Sequence, residues 1–108
     1  MNFIEFYCLD NSQLANFEAL NKGYRNDLVV EIRGDYFSII VYDLTRLSQD
    51  VSSEFEEYGY YSVDNNLIIV KEVSFSEIKK TVEILAKGKY FKSTAPIVPD
   101  FSKLVKYG

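Results

Sequence analysis

The sequence predicts an α+β domain: a mainly antiparallel sheet with helices packed on one face, in the order β-α-β-β-α-β-β-α. Three observations carry that prediction. Runs of β-branched and aromatic residues come in close pairs separated by turn residues, as hairpins require. Between them lie segments whose apolar residues recur every three or four positions, the period of an amphipathic helix. At 108 residues the chain fits one domain, 1–108, long enough to bury roughly 60 to 70% of its unfolded surface in a single core.

The opening NFIEFYC, residues 2–8, is dominated by β-formers and reads as a strand with Ile4, Phe6 and Cys8 on one side. Cys8 is then a small buried apolar residue rather than a nucleophile. Asp10, Asn11 and Ser12 offer N-caps for a first helix, whose Leu14, Phe17 and Leu20 fall on one stripe and which ends near Gly23.

Residues 27–43, DLVVEIRGDYFSIIVYD, are two β-rich runs around a tight loop. With Gly34 and Asp35 as the loop, a type II′ turn, Arg33 faces Tyr36, and one face carries Leu28, Val30, Ile32, Phe37, Ile39 and Val41. A one-residue slip would mix polar and apolar sets, so the pattern argues for the turn at Gly34-Asp35. Arg33-Gly34-Asp35 also spells a tripeptide that cell-surface receptors recognise. Without an extracellular address it reads as a hairpin turn.

Asp43 caps a second helix, 43–59, with an apolar stripe of Leu44, Leu47, Val51, Phe55 and Tyr58, an acidic opposite face, and Gly59 at its end. Residues 60–71, YYSVDNNLIIVK, read as a second hairpin around Asn65 and Asn66, with Tyr61, Val63, Ile68 and Val70 facing the core. Ser74 and Glu77 form a capping box for a third helix, with Val73 and Ile78 as hydrophobic staple and Ile78, Val82 and Leu85 as stripe, up to Gly88. A short strand at Tyr90 and Phe91 is expected next, then from about residue 93 an irregular tail broken by Pro96 and Pro99. The first six elements match a ferredoxin-like order. Helices on one face would leave the other open, carrying Glu5, Tyr7, Glu31, Arg33, Tyr36, Tyr42, Tyr60 and Ser62.

Composition excludes several functions. The chain has no histidine and one cysteine, which removes Ser-His-Asp and Cys-His catalysis, histidine metal ligation and an internal disulfide. The five glycines are isolated, so no phosphate-cradling loop and no cofactor are implied. MNFIEFYCLDNS has no basic start and no sustained apolar run, so a cytoplasmic protein without a membrane segment is expected. Charge is unevenly spread: residues 1–78 hold 5 Lys/Arg against 14 Asp/Glu, giving -9, and 79–108 hold 7 against 2, giving +5. An acidic body repels nucleic acid and anionic membrane and steers toward basic partners.

Asp50, Glu54 and Glu57 lie on one side of the second helix, with Glu56 beside them and Asp64 in the next loop. Calcium loops alternate oxygen ligands around a glycine, which this helix lacks, so no metal is assigned. The aromatic neighbours Phe55, Tyr58, Tyr60 and Tyr61 put anchors beside the acids, and the cluster reads as a protein-docking surface. RNA binding through the sheet has a sequence cue in the Arg33-Gly34 start of RGDYFSIIVY. Against it, Asp35 stands where an aromatic is expected, Phe37 falls on the core face, and the surrounding acids oppose phosphate.

The short, acidic, tyrosine-rich profile, expressed most densely in QDVSSEFEEYGYYSVD (residues 49–64), resembles the small bacterial immunity proteins that neutralise toxins delivered on contact by neighbouring cells. The resemblance implies a monomeric inhibitor without catalytic activity that binds a basic toxin domain, such as a nuclease, directly. The acidic-aromatic cluster, not the resemblance, supplies the expected partner-binding residues Asp50, Glu54, Glu56, Glu57, Tyr58, Tyr60 and Asp64, with Tyr36 and Tyr42 on the sheet face as secondary candidates. The competing expectation is a small regulatory or ligand-binding domain acting through the open tyrosine-rich sheet.

Overall fold

The computed structural model describes residues 4–108; Asn2 and Phe3, expected at the start of the first strand, lie outside the described residues. The elements are β1 (Ile4–Cys8), α1 (Gln13–Lys22), β2 (Tyr24–Ile32), β3 (Asp35–Asp43), α2 (Leu44–Tyr58), β4 (Leu67–Val70), α3 (Phe75–Lys87) and β5 (Val105–Lys106), with single 3₁₀ turns at Phe91–Ser93 and Phe101–Lys103. The α+β class stands. The strands form one sheet in the order β4-β3-β2-β1-β5. Its pairings are antiparallel except β3–β4, which is parallel. In a split βαβ fold another strand separates the two that a crossover joins; here α1 links antiparallel neighbours, so the ferredoxin-like arrangement does not form.

The first hairpin keeps its predicted faces but not its turn. Ile32 pairs with Asp35 and Val30 with Phe37, which makes Arg33 and Gly34 the loop. Both have positive φ, 53° and 86°, the requirement of a type I′ turn rather than II′. Moving the loop by one residue changes the register by two, and an even shift leaves every side chain on its face. Leu28, Val30, Ile32, Phe37, Ile39 and Val41 are accordingly all buried.

The second hairpin is not formed. Residues 60–64 are a connection, and β4 runs parallel to β3, with Ile40 opposite Leu67 and Asp43 opposite Val70. Parallel neighbours need a crossover, so the chain returns through α2 and has no strand to place beside β4. Ile68 and Val70 are buried as expected, whereas Val63, expected in the core, is 70% exposed. The turn at Asn65 and Asn66 survives, with Asn66 at φ 58°.

The core lies on one side of the sheet, under α1 and α3. α3 supplies Ile78, Val82 and Ala86, and Val73 buries beside Ile78 as the staple predicts. Ser74 caps the helix by accepting from the Glu77 amide. α1 contributes only Ala19; its predicted stripe faces outward, Leu14 66% and Phe17 60% exposed. α2 contributes no residue to the core. It sits on the opposite face, where Tyr42, the neighbour of core residue Val41, donates its hydroxyl to Asp50 at 2.9 Å. The helices therefore flank the sheet rather than sharing one face.

Where a strand was expected at Tyr90 and Phe91 the chain makes a 3₁₀ turn, and Phe91 packs 5.0 Å from Phe37. The tail is more ordered than its prolines suggest. Ile97 bridges to the Tyr36 carbonyl at the β3 edge, Phe101 meets Tyr36 edge-to-face at 5.0 Å, and β5 pairs with β1. Tyr107 then enters the core. Above its ring, at 4.5 Å, lies the guanidinium of Arg25, a buried cation that an irregularity in β2 between Arg25 and Leu28 turns toward the core. Burial would lower the Arg25 pKa, but Asp27, 2.7 Å from Nε, more than offsets it, and the group stays charged.

Candidate functional site

Asp43 caps α2 by accepting from the Arg46 amide at 2.8 Å, and Gly59, at φ 80°, ends the helix with the left-handed turn that glycine tolerates. After Gly59, residues 60–64 run beside the helix. A groove of about 410 Å³ opens between them. Asp50, Ser53, Glu54 and Tyr58 line the helical side; Tyr60, Tyr61, Ser62 and Asp64 line the connection; Tyr42 closes the floor.

Five of the predicted partner-binding residues, Asp50, Glu54, Tyr58, Tyr60 and Asp64, meet around this groove. Glu56 and Glu57 do not line it; both are exposed in the last turn of α2. Of the secondary candidates, Tyr42 belongs to the groove but is buried and offers little surface, while Tyr36 lies elsewhere, between Tyr7 and Phe101. Ser53 has no counterpart in the sequence reading, while Ser62 is expected on the open sheet face and Tyr61 both beside the acids and in the core; all three line the groove. Ser53 stands at i+3 from Asp50, so helical spacing alone could have found it. Tyr61 was read as a core residue because the hairpin assignment turned it inward.

Among the described residues the lining carries three carboxylates and four tyrosines, and no basic side chain. Asp50 is already engaged, accepting from Tyr42 and from Arg46 Nε at 3.0 Å. Among the described residues Glu54 and Asp64 have no ion-pair partner. The Tyr58 and Tyr60 rings, 58% and 63% exposed, stand 6.5 Å apart at 48° on the rim. Burial first, then the hydrogen bond to Asp50 and the neighbouring Tyr61 hydroxyl, holds the Tyr42 phenol protonated far above the usual tyrosine range. The floor is therefore neutral and fixed, and negative charge collects on the walls.

The remaining sheet face is largely occupied. Tyr7 donates to Glu31 at 3.4 Å, and the Lys106 ammonium pairs with Glu5 and lies 5.4 Å over the Tyr7 ring. Phe101 covers Tyr36. Among the described residues no helix is long and apolar enough to cross a membrane. No protein-family model, curated protein or solved structure matches the chain.

Proposed function

We propose that this chain is a protein-binding inhibitor of the immunity type, which neutralises a toxin by direct binding and uses the groove between α2 and residues 60–64 to hold a basic surface of its partner. The observation that supports this reading is the groove itself, where exposed tyrosines and unpaired carboxylates converge without a basic side chain among them. Acidic walls speed encounter with a positive partner, and tyrosines supply rigid contact area once water is expelled. The sheet-face alternative loses support, because the tail and α2 lie over Tyr36 and Tyr42.

The test is capture from lysates of the source cells and of their competitors, comparing the tagged chain with a Glu54→Lys/Asp64→Lys variant at matched salt. A single basic protein retained stoichiometrically by the parent should bind the variant roughly tenfold or more weakly. Both residues lie on the groove wall outside the core, so the urea midpoints should match. Equal retention by parent and variant would remove the groove from the interaction.

A further inference from the structure

Three times among the described residues a basic side chain lies over a tyrosine ring while paired with a carboxylate. Arg25 lies 4.5 Å over Tyr107 and pairs with Asp27. Arg46 lies 5.3 Å over Tyr24 and pairs with Asp50. Lys106 lies 5.4 Å over Tyr7 and pairs with Glu5. Each grouping satisfies one cation twice, by the negative face of the ring and by the opposite charge.

The groove repeats the ring and the carboxylate without the cation. Tyr58 and Tyr60 present rings, Glu54 and Asp64 present carboxylates, and no lining residue is basic. The geometry points to a lysine or arginine side chain of the partner protein as the group this groove receives, its cation between the two exposed rings and the wall carboxylates. This deepens the function proposed above and rests on it. A cation is favoured here over an apolar anchor, because burying Glu54 and Asp64 under apolar surface would strip their hydration with nothing in return.

The test is a titration of the ¹⁵N-labelled chain, followed by NMR, with four capped Gly-X-Gly tripeptides in which X is lysine, arginine, Nε-acetyl-lysine or norleucine. The lysine or arginine peptide should cause saturable shifts confined to residues 50–64, with about fivefold or greater weakening on acetylation. Glu54→Gln and Tyr60→Leu should each weaken that binding several-fold, while Glu56→Gln, outside the groove, should not. Equal shifts from the acetylated or norleucine peptide would overturn the cation seat, as would lysine shifts scattered over the acidic surface or no shift at all. If the peptides fail while the Glu54→Lys/Asp64→Lys variant still loses its captured partner, the groove remains the docking site and only the seated cation is wrong. If the peptides bind and capture is unaffected, the groove accepts a cation but the partner docks elsewhere, which overturns its assignment as the partner's seat.

Discussion

Tyr42 ties the groove to the stability of the whole domain. Its folded-state pKa lies above the ordinary value of 10.0, raised first by burial and then by Asp50 and Tyr61. The folded chain thus keeps a proton that the unfolded chain releases above about pH 10. The stability linked to that proton is complete below pH 10 and falls as pH rises beyond it. Tyr7, Tyr36, Tyr90 and Tyr107 are shifted the same way, so urea unfolding between pH 8 and 11 should show a steep alkaline loss. Tyr42→Phe should cost about 1 kcal/mol at neutral pH, since Asp50 loses a donor, yet make the alkaline fall shallower by up to about 1.4 kcal/mol per pH unit. An unchanged slope would mean the Tyr42 proton is not linked to folding. At this scale the sequence was informative about which residues meet: the density of acids and aromatics in EFEEYGYY singled out Glu54, Tyr58 and Tyr60, which line one groove. It could not separate Glu56 and Glu57 from the groove wall, because that depends on the path of the chain after Gly59.

Periodicity reveals that a helix has an apolar face, but not that another element covers it. For α3 the two coincide, because the staple of Val73 and Ile78 continues into Val82 and Ala86 under the sheet. For α1 they do not: small Ala19 meets the sheet, and Leu14 and Phe17 point away. Phe17→Lys should therefore change stability by no more than about 0.5 kcal/mol, whereas Ile78→Ala should cost about 2–5 kcal/mol. Comparable losses in urea titrations would place the α1 stripe in the core. The missed hairpin has a similar origin. Alternation through YYSV and a turn at Asn65 and Asn66 are local signals of an antiparallel pair, while the parallel pairing of β4 with β3 is decided by a crossover that local signals do not contain.

Across the whole molecule, the class, the first hairpin's faces and most of the core were legible because they follow from residue type and alternation. Strand order and the route of the tail were not, since β5 is only two residues long and pairs with the far end of the sequence. The tail nevertheless holds the fold. Tyr107 packs edge-on to Phe75 at 5.0 Å and under Arg25, so Tyr107→Ala should cost about 3 kcal/mol or more, read as a lowered urea midpoint. A loss below about 1 kcal/mol would mean the closure is superficial. That closure also sets an order of events. Tyr7 and Lys106 pair across nearly the entire chain, and closing a loop of about 100 residues costs about 4 kcal/mol in entropy, so the β1–β5 ladder should be the last part of the sheet to assemble. During synthesis at about 5–20 residues per second, the outer edge of β1 waits about 5–20 s for its neighbour. Throughout that interval a nascent strand presents unpaired amides and carbonyls to any other chain on the same ribosome cluster.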